Sequence, residues 1–368
     1  MTHKKKFIFV LGPHRSGTSL VAAALHAMGV NLGSRFIDPN EDNPKGFFED
    51  EEVVRFNDRL LRSMNLSWDS FGFIWQEDFS GKQFKPYHRA AVAMVQDRFG
   101  DTAIAGLKDP RFCILLPFWK RVLSEAFDVD ISYVLGIRDP EASVLSQKAR
   151  HIKDSDFHML GRRNVQTLLL WWTYMYRALG QVDPERLVIV DYTSLVQTPD
   201  SQCQRLGRFL GLEQSGAEHF SREHVEPLLN RSGNRHKLER RHGPLLWEFA
   251  DTLYQRLFKL AGQETVDAKD LDDALARLDI SRLESFYLQE LQYMSGYAYR
   301  KSLNLRHRLI LTIQQLGDAQ GKQIELQSRC DELLAQNQSL REDLNVVVST
   351  RGWKLLTLLR SCIPWPFR

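Results

Sequence analysis

The sequence predicts an α/β fold built on a central parallel sheet. Short apolar runs alternate with helical stretches, and each run ends in a charged or glycine-containing turn. From about residue 240 the pattern becomes helical throughout.

Residues 7–11 (FIFVL) are continuously apolar, as a buried strand is. Gly12 and Gly17 bracket a turn, and the helix that follows (SLVAAALHAMG) stops at Gly29, a natural residue for a helix C-terminus. A polar loop over 40–52 leads into a helix with apolar spacing, VVRFNDRLLRSMN. The segment TAIAGLKDP is a short strand ending at Lys108 and Asp109. The same shape returns in ISYVLGIRDP, where a strand ends at Arg138 and a helix starts after Asp139 and Pro140. A further strand, RLVIVDYTSLV, ends at Asp191 and Tyr192. Parallel sheets bind ligands at the carboxyl ends of their strands. Arg15, Lys108, Asp109, Arg138 and Tyr192 are therefore expected around one cleft.

Four regions follow: a sheet domain over 1–240, a helical extension over 241–305, a coiled coil over 306–348 and a tail over 349–368. The heptad register places Leu316, Gln323, Cys330, Asn337 and Leu344 at a, and Ala319, Leu326, Leu333, Leu340 and Val347 at d. Leucine at d with an asparagine at one a position predicts a parallel two-stranded coil, and hence a homodimer. A single helix packed on its own domain reads the same register. The tail (STRGWKLLTLLRSCIPWPFR) holds four basic residues, no acidic ones and two tryptophans. It suits a bilayer interface or a protein partner equally.

A net charge of +3, from 49 basic and 46 acidic residues, argues against a nucleic-acid binder. The four cysteines lie far apart and form no C-x-x-C pair, so neither a zinc site nor a disulfide framework is expected. No stretch approaches the roughly 20 apolar residues of a membrane span, and the chain reads as cytoplasmic, with peripheral contact at the inner membrane as one of the two readings of the tail.

The loop GPHRSGTS carries the chemistry. A strand-to-helix turn with glycines aims several backbone N–H groups at one point, and the helix dipole adds positive potential there. Thr18 and Ser19 supply hydroxyls, and Arg15 supplies a planar fork for two oxygens. A Walker A loop would carry lysine at position 18. Here the cation is Arg15, inside the loop, and no strand ends in an obvious magnesium-binding aspartate, Asp191 being the nearest.

These residues resemble the 5′-phosphosulfate loop of the sulfotransferase family, P-[KR]-S-G-T-[TS]. Arg15, Ser16, Gly17, Thr18 and Ser19 match it, and His14 after Pro13 is a departure. The family's 3′-phosphate motif is an arginine at a strand end and a serine eight positions later. Arg138 and Ser146 have that spacing. A third segment, VDYTSLVQTP, is similar to Y-[ED]-[DS]-L-x-x-x-P, with Tyr192, Leu195 and Pro199 matching; Tyr192 also fits an ordinary core aromatic. The stretches NPKGFFEDEEVV and GLKDPRFCILLPFW resemble a bacterial branch, and the similarity spans about 5–240. The tail is similar to S-x-[GS]-W-[RK]-L-x-x-x-L-R of bacterial polysaccharide-biosynthesis enzymes. The late R-K-G-x-x-G-D-W-K motif of the cytosolic animal branch is absent.

The resemblance implies a P-loop-type three-layer fold and transfer of a sulfuryl group from 3′-phosphoadenosine 5′-phosphosulfate (PAPS), leaving the bisphosphate PAP. Pro13, His14, Arg15, Ser16, Gly17, Thr18, Ser19, Arg138, Ser146 and Tyr192 would bind the donor, and no metal is required. The acceptor would be a hydroxyl on a glycan or lipid-linked glycan. Arg15 and Lys108 would stabilise charge, and the general base is either Glu49, set beside two aromatics, or Asp109. His26 and His88, like the ring of His14, read as packing or solvent residues. Trp171, Trp172, Tyr174 and Tyr176 suit sugar rings or a core equally. Two other readings remain: a P-loop kinase acting on a small molecule with magnesium, and a non-catalytic dimeric scaffold.

Overall fold

The structure is a computed structural model that describes residues 4–39, 43–70, 79–153, 160–212, 217–225, 238, 243–275, 284–318, 323–349 and 355. The chain divides into two compact units, 1–63 with 67–279, and 64–66 with 280–368.

Four strands form the sheet of the first unit: β1 (Lys5–Leu11), β2 (Ile104–Lys108), β3 (Val129–Ile137) and β4 (Leu187–Asp191), in the order β2-β1-β3-β4. All pairs are parallel. The register sets Val10 beside Lys108 and Val134, and Ile137 beside Asp191, so the carboxyl ends of the strands share one edge. Both faces are covered, which is why the strands read as apolar runs. On one face Ile8 and Val10 join a core with α1 (Thr18–Ala27), α8 (Pro199–Leu210) and Phe220 of α9 (Ala217–His224). On the other, Phe7 packs edge-on to Phe99 of α3 (Lys85–Phe99), and Phe9 meets Phe112 of α4 (Phe112–Ala126). Further helices α6 (Asn164–Leu179) and α10 (Pro244–Leu260) complete that layer, giving three layers as expected.

Local chemistry explains the boundaries. Gly29, at φ 85°, closes α1 with a Schellman pattern: Val30 N–H donates to Leu25 O, and Gly29 N–H to His26 O. Asp50 caps α2 (Glu51–Ser63), accepting from the N–H groups of Glu52 and Val53. Pro140 opens α5 (Pro140–Lys153). The last strand ends one residue earlier than its sequence pattern: Tyr192 already begins α7 (Tyr192–Gln197), because Asp191 accepts from Ser194 N–H and caps that helix.

A short helix, α11 (Ala268–Leu275), ends the described part of the first unit. The second unit holds α12 (Glu284–Asp318) and α13 (Gln323–Ser349), which pack on each other. Tyr299, Ser302, Leu303 and Arg306 of α12 line a groove with Arg341, Leu344 and Asn345 of α13. The register positions Cys330, Leu333 and Asn337 are buried, so the heptad face of α13 is legible and α12 of the same chain packs against that helix. The expected 306–348 segment thus begins inside α12. Most of the 349–368 tail lies outside the described residues.

Candidate active site

Three segments that are distant in sequence interlock at the sheet edge. The loop after β1 is held by its backbone: Gly12 N–H donates to Cys113 Sγ at 3.1 Å, and Ser16 N–H to Pro13 O at 3.2 Å. Gly12 has φ 142°, and a Cβ there would sit 2.5 Å from Gly136 O. Gly17 has φ 92°, and its Cβ would sit 2.5 Å from the Tyr192 ring. No side chain fits at either position. Arg15 itself takes φ 69°, an unusual conformation for a non-glycine residue that its contacts must hold.

Those contacts come from the second segment. Arg15 Nε donates to Ser146 Oγ at 2.9 Å. Arg138 donates from a terminal nitrogen to Arg15 O at 3.3 Å, and its guanidinium lies 4.3 Å from the centre of the Tyr192 ring. Tyr192 is the third segment, fixed because Asp191 accepts from both N–H and Oγ of Ser194 and from Tyr254 Oη of α10. These contacts join Arg15 to Arg138 and Ser146, and Arg138 to Tyr192.

Opposite them stands a buried ion pair. Lys108 Nζ lies 2.5 Å from Glu49 Oε1 and donates to Ser19 Oγ at 3.1 Å. Asn43 also donates to Ser19 Oγ. Burial raises the Glu49 pKa, and the Lys108 charge opposes that rise. The capping of α2 falls to Asp50, which ion-pairs with Arg98, so Glu49 is left facing the cleft.

Asp109 is placed differently. It is fully buried, and it accepts from Asn57 Nδ2 at 2.8 Å and from both N–H and a terminal nitrogen of Arg111 at 3.0 Å. It anchors the start of α4 and does not line the cleft. Arg111 does line it; burial works against its charge, but Asp109 and Asp58 outweigh that and hold its pKa high.

The cleft has a volume of about 380 Å³. His14, Arg15, Gly17, Thr18, Ser19, Glu49, Lys108, Arg138 and Tyr192 line it, whereas Pro13, Ser16 and Ser146 stand behind that surface. Sequence reasoning missed Trp68, Arg111, Arg150 and Lys45, which also line it. Arg111 lies in a stretch already singled out, GLKDPRFCILLPFW, which was a usable signal. Three of the four α6 aromatics are core: Trp171, Trp172 and Tyr174 are each at most 2% exposed, whereas Tyr176 is exposed, and none of the four lines the cleft. Tyr174 contributes indirectly, packing on His14 at 5.4 Å and donating to Trp68 O.

Residues 8–216 match the model of the sulfotransferase family. The chain belongs to the sulfotransferase family. A solved structure, the sulfotransferase domain from the Synechococcus PCC 7002 olefin synthase, is similar at 15% identity, covering 74% of this chain and 95% of that one with a TM-score of 0.37. No curated protein matches the chain. A sulfotransferase moves a sulfuryl group to an acceptor.

Proposed function

We propose that this sulfotransferase takes its sulfuryl group from PAPS and delivers it to a hydroxyl of a carbohydrate. The observation that carries the reading is the contact between Arg15 and Ser146, which joins the loop and the β3–α5 motif into one anion site. The backbone N–H groups of the loop and Arg15 suit the 5′-phosphosulfate. Arg138 and Ser146 suit the 3′-phosphate, and the Tyr192 ring, covered by Arg138, suits the adenine. The space above Gly17 is closed to any side chain by Tyr192, as a backbone cradle requires.

Glu49 is the base of this proposal. It takes the proton of the acceptor hydroxyl while that oxygen bonds to sulfur and the bond from sulfur to the 5′-phosphate oxygen breaks. Arg15 and the loop amides hold the negative charge that the leaving phosphate oxygen gains. Lys108, between Glu49 and Ser19, steadies the transferred group. Asp109 is disfavoured because its oxygens are already engaged by Asn57 and Arg111. Trp68, which lines the cleft beside His14 and Arg150, offers an aromatic surface for a sugar ring.

A homodimer through the second unit belongs to the same reading. The exposed Tyr299, Leu303, Leu334 and Val348 of α12 and α13 give a second copy an apolar surface to cover. The test of the donor assignment is calorimetry with PAP in EDTA, against ATP with magnesium. Binding of PAP without metal is expected. Binding of magnesium ATP alone would favour the kinase reading, and binding of neither would favour the scaffold.

A further inference from the structure

We infer that His14 is a proton-coupled part of the donor site, neutral while the loop is empty and charged once an anion fills it. The inference rests on the donor reading above.

His14 follows Pro13 in the loop, and its ring lines the cleft. Its ring centre lies 4.7 Å from Trp68 and 5.4 Å from Tyr174, so both neighbours are apolar surfaces. Its Nε2 is buried and has no hydrogen-bond partner among the described residues. A buried polar atom without a partner is rare, and beside a ligand site it marks a place where the ligand completes the bond. The charged groups that act most strongly on the ring are cationic: Arg111 from the start of α4, Arg150 from α5, Lys108 from the end of β2, and Arg15 next in the chain. Glu49 pairs with Lys108, Asp109 and Asp58 pair with Arg111, and Asp69 lies towards Tyr174. Burial first, then those four cations, hold the free imidazole well below its ordinary pKa of 6.5.

An anion in the loop reverses the field that keeps the proton away. Nε2 then takes one proton from the buffer acid, which is left as its conjugate base, and donates it as a charge-assisted hydrogen bond to an anion oxygen. One N–H bond forms and the buffer's bond to that proton breaks. Between the free and the bound pKa of His14, affinity for the anion then falls about tenfold for each unit of rising pH.

The experiment is calorimetric titration of the full chain with PAP in two buffers of different ionisation enthalpy near neutral pH. Phosphate groups of PAP also titrate at about pH 6, and cationic side chains that bind them favour the dianion and release its proton to the buffer. The wild type is therefore compared with His14→Gln, which keeps a polar side chain but cannot titrate. On binding PAP, the wild type is expected to take up more protons than His14→Gln does, by about half a proton or more per site. Histidine-ring NMR of the wild type reads the same proton without any substitution: one ring passes from neutral to charged on adding PAP. Binding with equal proton exchange in both proteins, or with every ring unchanged, would overturn the role of His14 and leave the donor reading intact. No binding of PAP by the wild type would overturn the donor reading, and the His14 inference with it.

Discussion

Replacing Arg138 by alanine removes at least two interactions at once. Its guanidinium covers the Tyr192 ring at 4.3 Å and also holds the carbonyl of Arg15 at 3.3 Å. In the complex, the same group would bind the 3′-phosphate. A hydrogen bond to a charged group contributes about 1.5–3 kcal/mol. A partly exposed cation–π contact contributes about 0.5–1 kcal/mol. The ring contact exists before PAP arrives and cancels in the binding difference, so the loss on binding is about 1.5–3 kcal/mol, which at about 1.4 kcal/mol per decade weakens PAP binding about 10- to 140-fold. Arg138→Lys keeps a point charge but loses the planar fork and the stacking, and should fall between the two. Isothermal calorimetry on each variant, with thermal unfolding as a check that the fold is intact, measures the difference. An Arg138→Ala protein that folds normally and binds PAP as tightly as the wild type would refute the assignment of the 3′-phosphate site.

Glu49→Gln should abolish transfer while PAP affinity changes little; retained turnover would move the base role elsewhere. Because burial raises the Glu49 pKa above its ordinary 4.5, the active, deprotonated form appears only as pH climbs through that raised value. The acid limb of kcat/KM in the wild type should therefore lie above the ordinary glutamate range, which a pH–rate profile will show. Gly17→Ala places a Cβ 2.5 Å from the Tyr192 ring at a φ of 92°, so PAP affinity should drop at least about tenfold, as read by calorimetry. In sedimentation the full chain should be a dimer and the chain lacking 280–368 a monomer; a truncated dimer would place the interface in the first unit.

Part of the site was legible because it sits on local signals. The loop between β1 and α1 is contiguous, and Arg138 and Ser146 lie on one strand end and the helix it feeds, from which each reaches Arg15. Glu49 was legible as a candidate but not as an ion pair, since Lys108 reaches it only when β2 pairs with β1. Asp109 looked like a second base because sequence does not distinguish a reactive carboxylate from one that Asn57 and Arg111 have already engaged. Trp68 comes from the segment after α2 and Arg150 from the third turn of α5, and neither carries a local signal. The Trp171–Trp172 pair is the reverse case, an aromatic row whose burial depended on α4 and α10 packing over it. In α13 the register named the buried face, but not that α12 of the same chain packs beside it.

Transfer of labelled sulfur is the most direct test of PAPS as donor. The purified chain, given PAPS labelled at sulfur, EDTA and a panel of glycan extracts, should move the label onto carbohydrate, and the Arg138→Ala protein should not. PAP that binds while no extract is ever labelled, with label reaching a non-carbohydrate acceptor instead, would contradict the acceptor class. Label that stays on PAPS with every acceptor offered would contradict the account as a whole.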